Sequence, residues 1–234
     1  MNTRWLKIVV FSLLSVAATA EEQPSSDGDA LNQRGLELLM QFNEGTRGLQ
    51  GRFTQRVSRD GESGEYSEGR FRLLRPGKFV WTYETPDEQI IVADGTNLWN
   101  YDVLLDQVDV RPQADALADS PATILSGGGD PLDAFDYHGS FEQEAVLWVQ
   151  LAPKTEESDF GVLRLGFKDG LLAGMQLGDN LDQVTVIEFE DVVENPTFNN
   201  DDFTFIVPDG VDVYGAPAGG SEDEDVTPVV GGLG

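Results

Sequence analysis

Residues 73–107 read LLRPGKFVWTYETPDEQIIVADGTNLWNYDVLLDQ, and the alternation inside them decides the fold. From Lys78 to Glu84, successive side chains of an extended strand point to opposite faces, so Phe79, Trp81 and Tyr83 share one face and Val80, Thr82 and Glu84 share the other. The apolar run Ile90-Ile91-Val92 then meets Leu98-Trp99 across Asp94-Gly95, a pair that supplies the positive φ angles of a type I′ hairpin turn. The strand ahead of the aromatic one repeats the pattern, with Phe71 and Leu73 opposed in face to Arg70 and Arg72. An Arg75-Pro76-Gly77 corner joins the two. Antiparallel neighbours with one aromatic face predict a concave apolar surface with a cationic corner at its rim.

Outward from this block, period-two alternation begins at Gln50 and continues to about residue 214. Asp60-Gly61, Pro76-Gly77, Asp94-Gly95, Asp169-Gly170 and Gly178-Asp179-Asn180 punctuate it. The strand candidates lie near 51–58, 65–74, 78–84, 88–94, 97–102, 106–111, 145–152, 160–168, 171–178, 182–192, 202–207 and 211–214, about eleven strands in a mainly β chain. A meander of that many twisted strands curls into a barrel or half-barrel. Leu31, Leu36, Leu38, Leu39 and Phe42 recur on one helical face ahead of Gly45 and Gly48, which predicts a helix over 28–44. Between Pro112 and Gly139, Ser120-Pro121 reads as an N-cap with proline in the first helical position. That predicts a short helix over 121–126, and a second lies near 131–136. Helices inserted midway through a curled sheet have to cover something.

The ends carry other signals. Arg4 and Lys7, the apolar run Ile8 to Ala18, and Ala18-Thr19-Ala20 form a cleavable export signal over 1–20, leaving Glu21 as the expected mature N-terminus. Residues 21–29 read as a flexible lead, 30–214 as one domain, and 215–234, with Glu222-Asp223-Glu224-Asp225, as a disordered acidic tail. No later stretch is apolar enough to span a membrane. The chain has no cysteine, which excludes disulfides, thiolate chemistry and a lipid anchor on an N-terminal cysteine. Net charge is −27, and loss of Arg4 and Lys7 with the signal would take it to −29. Such a field repels nucleic acid and anionic head groups.

The catalytic inventory is thin. The single histidine, His138, sits in Asp136-Tyr137-His138-Gly139, read as a loop or helix end, with no Gly-x-Ser-x-Gly elbow beside it. No ligand cluster has metal spacing. Asp87-Glu88, Glu156-Glu157 and Asp201-Asp202 lie beside turns as solvated acids, and Gly127-Gly128-Gly129 lacks the lysine of a phosphate loop and reads as a hinge. The residues therefore predict no enzyme, metal or cofactor, and leave binding. They fit either a small barrel packed with its own side chains or a curled sheet whose apolar hollow the helices cap.

The motifs Phe53-Thr54-Gln55, Gly69-Arg70-Phe71, Arg75-Pro76-Gly77-Lys78-Phe79-Val80-Trp81, Pro86, Gln89, Val92-Ala93-Asp94-Gly95, Leu98-Trp99 and Tyr101-Asp102 closely resemble the LolA family of periplasmic outer-membrane lipoprotein carriers. Ser120-Pro121, Ile124-Leu125, Phe203-Thr204-Phe205 and Pro208-Asp209-Gly210-Val211-Asp212-Val213 extend the resemblance, which spans about 30–214. It implies an unclosed antiparallel β-barrel with a lid of short helices over an apolar cavity for lipoprotein acyl chains. It also implies a monomer that takes cargo from an inner-membrane ABC transporter and gives it to an outer-membrane receptor lipoprotein. On that resemblance Arg75 is the lid latch, against Leu125 and Ser126, and Phe79, Trp81, Phe71, Trp99, Ile124 and Leu125 line the acyl site. Which of Leu39, Met40, Phe42 or Asn43 meets Arg75 stays open. A lipid-sensing regulator of a membrane signalling protein is the alternative use of such a fold.

Overall fold

The computed structural model describes residues 26–59, 62–114, 125–126, 129–155, 158 and 160–218. The export signal, most of the expected helix over 121–126 with Ile124, and residues 219–234 lie outside them.

Alternation of apolar and polar residues builds β1 (Gly48–Arg59), β2 (Glu62–Leu74), β3 (Lys78–Thr85), β4 (Gln89–Ala93), β5 (Asn97–Asp102) and β6 (Gln107–Pro112). After the lid segment come β7 (Phe135–Gln143), β8 (Val146–Pro153), β9 (Phe160–Lys168), β10 (Leu171–Asp179), β11 (Gln183–Glu194) and β12 (Asp212–Gly215). All twelve belong to one sheet, ordered β12-β6-β5-β4-β3-β2-β1-β11-β10-β9-β8-β7. Its two ends, β7 and β12, are not paired with each other, so the barrel is unclosed.

One face of this sheet carries Leu49, Phe53, Phe71, Leu73, Phe79, Val149, Leu151, Leu163, Leu165, Phe167, Ile187 and Phe189, which form the core. The opposite face carries arginines tied to carboxylates, among them Arg52 and Arg70, each 3.1 Å from Glu84. Exposed pairs of this kind contribute little to stability. The division of faces follows the alternation of Phe71 and Leu73 with Arg70 and Arg72.

Helix α1 (Ser26–Gly45) opens with Asp27 and Asp29 in its first turn, where acids complement the helix dipole. It buries Leu39 and Phe42 in the core. Its seat is β7: the Asn32 side chain accepts from Ser140 N at 2.8 Å, and the Tyr137 hydroxyl donates to Asn32 O at 2.8 Å. Gly35 permits the approach, because a Cβ there would stand 1.9 Å from Ser140 Oγ. Since α1 starts at Ser26, the expected flexible lead overlaps the helix by four residues.

Several expectations are corrected. The helix near 131–136 is one turn, α2 (Pro131–Ala134), capped by Asp130, whose carboxylate accepts from Leu132 N. The chain then turns directly into β7, a strand the pattern missed because Asp136, His138 and Gly139 break its apolar alternation; His138 is an exposed strand residue there. The strand expected over 202–207 is a 3₁₀ turn, Asn200–Phe203. Its segment crosses the outer face of the sheet, packing Phe203, Phe198 and Phe205 on Val80, Val92 and Trp99. β12 is not a hairpin partner but runs parallel to β6, from Asp212 against Gln107 to Gly215 against Val110. Residues 215–218 are placed rather than part of a free tail, with Ala218 N donating to Asn97 Oδ1 at 2.7 Å. Of the two Asp-Gly turns, Asp169-Gly170 has φ values of 52° and 84°, as type I′ requires. At Asp94-Gly95 the closing pair is instead Ala93 with Leu98, and Asp94 Oδ1 accepts from Thr96 N and Asn97 N at 2.7 and 2.8 Å.

Candidate functional site: a clasped apolar hollow

The last turn of α1 contains no basic residue, so its free carbonyls need donors from elsewhere. Arg75, on the corner between β2 and β3, provides them. Its Nη1 donates to Phe42 O at 3.0 Å, Asn43 O at 2.8 Å and Thr46 O at 3.1 Å, and its Nε donates to Leu125 O in the lid at 3.1 Å. The guanidinium carbon lies 4.7 Å from the centre of the Phe42 ring. Burial pushes the Arg75 pKa down to about 10, which still leaves the group charged at neutral pH. The question left open by the sequence is thereby answered: Phe42 and Asn43 meet Arg75, joined by Thr46.

Two further contacts hold the lid. Gly77 N donates to Ser126 O at 3.1 Å, and Asn43 Nδ2 donates to Gly129 O at 3.2 Å. Gln113, the first residue after β6, fixes this end of the sheet: its Oε1 accepts from Gly95 N at 2.9 Å and its Nε2 donates to Gly77 O. In these contacts Leu125, Ser126 and Gly129 each offer a backbone carbonyl.

Beneath Leu125 the hollow has an aromatic floor. Trp81 packs 4.5 Å from Phe53 and 5.4 Å from Phe71 between ring centres, and Phe71 lies 5.1 Å from Phe189. Leu73, Phe79, Trp81 and Leu125, with Arg72, line a remaining void of about 40 Å³. That void, bounded by described residues, is too small for an acyl chain, and Leu125 packs over it in this conformation. Depressions of about 600 and 410 Å³ lie on the outer face, where Arg70, Arg72, Glu88 and Asp191 line one and Glu144, Lys168, Glu188 and Glu190 line the other. Phe71, Val80 and Ile90 also line the larger one, but both are open to the outer face and ringed by charge.

Of the residues expected to line the acyl site, Phe71, Phe79, Trp81 and Leu125 come together in the hollow. Trp99 does not. It sits on the outer face, 5.5 Å from Phe205 between ring centres, with Nε1 donating to Asp94 Oδ2 at 2.8 Å. Burial alone would raise the Asp94 pKa, but bonds from Asn97, Trp99 and Thr96 together outweigh it and hold the carboxyl below its ordinary range. The register explains the misassignment: Ala93 pairs with both Phe79 and Leu98, so Leu98 inherits the inner face and Trp99 the outer. Ile124 lies outside the described residues. Sequence reasoning passed over Gln113 and the inward-facing Phe53 as site residues.

A family model described as outer membrane lipoprotein carrier protein LolA matches residues 44–206. An outer-membrane lipoprotein carrier protein of Methylobacillus flagellatus is 39% identical over 182 residues, covering 77% of this chain and 89% of its own. One from Cupriavidus pinatubonensis is 36% identical over 211 residues, covering 88% and 97%. Among solved structures, a LolA superfamily protein of Nitrosomonas europaea aligns with a TM-score of 0.45 at 12% identity, covering 74% of this chain and 97% of that one.

Proposed function

This chain belongs to the outer membrane lipoprotein carrier family, and from that membership we propose that it is a periplasmic shuttle whose hollow shields lipoprotein acyl chains in transit between the two membranes. It accepts cargo from an inner-membrane ABC transporter and yields it to an outer-membrane receptor lipoprotein, acting as a monomer and without making or breaking a covalent bond. The observation that carries this reading is the Arg75 clasp, which closes Leu125 over the aromatic floor formed by Phe53, Phe71 and Trp81.

Each methylene of an acyl chain gains about 0.8 kcal/mol on leaving water, so a lipoprotein cannot cross an aqueous compartment unescorted. A carrier also has to let go. In the closed form Leu125 occupies the mouth of the hollow and Arg75 holds it there, so loading must undo contacts that unloading restores. That restoration lowers net affinity and permits transfer to a tighter site with no energy source on this chain. Among the described residues no helix is long and apolar enough to cross a membrane, which fits a carrier that moves between membranes.

The purified protein, incubated with spheroplasts, should release lipoproteins into the supernatant as complexes with itself, detected by immunoblot and by native mass spectrometry of the acylated cargo. Lipoproteins that stay on the membrane would overturn the reading.

A further inference from the structure

We propose that Trp81 donates a hydrogen bond to the ester carbonyl of a bound acyl chain and so fixes how deep the chain sits. The inference rests on the carrier reading and adds to it the chemical group recognised at the hollow's wall.

Among the described residues, Trp81 Nε1 is a buried side-chain polar atom with no hydrogen-bond partner. Buried donors are almost always satisfied, and leaving one unmade is costly. The ring is held between Phe53 and Phe71, with Phe189 edge-on at 6.2 Å between centres; the side chain as a whole is half-buried, with Nε1 on its buried side. Burial raises the Tyr83 pKa, and the nearby Gln55 and indole N–H pull it back in part, yet the hydroxyl and Trp81 Nε1 do not meet in hydrogen-bond geometry. The hydroxyl donates to Gln55 Oε1 at 3.2 Å.

Phenylalanine would complete this aromatic floor without stranding a donor. Tryptophan is explicable if something that accepts a hydrogen bond enters the hollow. Hydrocarbon has no acceptor, and an ionised head group would not leave water. The carbonyl that joins each fatty chain to its glycerol is a neutral acceptor lying just where the apolar tail ends. An indole N–H is donor only, so it suits that group. On one side of Trp81 lie Leu73, Phe79 and Leu125, and on the other Tyr83 and Gln55. The tail therefore runs toward the lid, and the carbonyl lies on the Gln55–Tyr83 side. Loading satisfies an N–H that the closed form strands.

The test uses the full mature chain and two fluorescent probes, an S-(2,3-dipalmitoyloxypropyl)cysteinyl peptide and its dihexadecyl ether counterpart, which lacks the carbonyls. Wild type should bind the ester about tenfold more tightly than the ether. Trp81→Phe should bind both at the ether's level. In ¹⁵N spectra of the wild type the Trp81 indole resonance should shift with the ester and not with the ether, which decides the matter even if the variant folds poorly. Equal binding of both probes by wild type, or an equal loss of both in Trp81→Phe, overturns the inference while leaving the carrier reading intact. Failure of wild type to bind either probe removes the carrier reading and the inference with it.

Discussion

Replacing Arg75 by leucine should tighten acyl binding while weakening the fold, and the opposed signs make it a sharp test of the clasp. Of the bonds described above, three go to carbonyls at or just past the end of α1 and one to Leu125 O, so lid opening breaks at least one charge-assisted bond of about 1.5–3 kcal/mol. The guanidinium regains water as the lid leaves, which offsets part of this, and about 1.5 kcal/mol of bias toward the closed form remains, roughly tenfold in population. When the closed form dominates, apparent affinity scales with the open fraction. Arg75→Leu should therefore bind a fluorescent acylated peptide roughly tenfold more tightly and transfer preloaded lipoprotein to outer-membrane vesicles correspondingly more slowly. Loss of the three carbonyl bonds at the end of α1 should at the same time lower the urea midpoint. A variant that keeps its β-sheet circular dichroism but binds the peptide no better than wild type would refute the latch, since a merely loosened protein also loses affinity.

Phe79→Glu should abolish loading, because Phe79 is 9% exposed at the hollow's wall and a carboxylate there faces a desolvation cost of several kcal/mol; normal recovery of cargo with the variant would disprove the placement. Gln113→Ala should cost about 2 kcal/mol in urea unfolding, since Gly95 N and Gly77 O both lose a buried partner. It should also speed hydrogen exchange at the Gly77 amide that holds Ser126 O, and unaltered exchange there would separate Gln113 from the lid. Ionisation of Arg75 should add no pH dependence to lid opening, followed by exchange at the same amide after correction for intrinsic rates, from about pH 5 to pH 9. The partners of Arg75 described above are uncharged carbonyls, and its pKa of about 10 in the closed form returns upward on exposure, so both forms hold the proton throughout that range. A sigmoidal change near neutrality would point to a titrating group in the latch.

The parts of this protein that were legible in its sequence are those written in side-chain alternation. Phe71, Leu73, Phe79 and Trp81 announce the inner face because a pleated strand offers them no other arrangement, and the Arg75-Pro76-Gly77 corner marks its rim. Aromatic character alone does not name the face. Trp99 pairs with Val92, which pairs with Val80, so it lies outward, and a two-residue turn would have left it outward too, because changing a hairpin loop by two residues keeps parity. Alternation also fails where apolar residues serve the outer face. Phe203 and Phe205 have the spacing of a strand, yet they pack as a patch over Val80 and Val92 and leave no partner with which to form a ladder.

The exact acceptors of the clasp were the least legible part of the site, and their physics says why. Arg75 is written in the sequence, but its acceptors are the carbonyls of Phe42, Asn43, Thr46 and Leu125, a group every residue carries alike. What selects them is the end of α1, where carbonyls lack partners because the helix stops at Gly45, and the path of the lid over Trp81. Leu125, Ser126 and Gly129 enter these contacts through their backbone carbonyls, so their side chains can change without removing those bonds. It follows that a substitution at Leu125 should alter what the hollow admits before it alters whether the lid closes, whereas changes at Arg75, Asn43 or Gln113 should alter closure first.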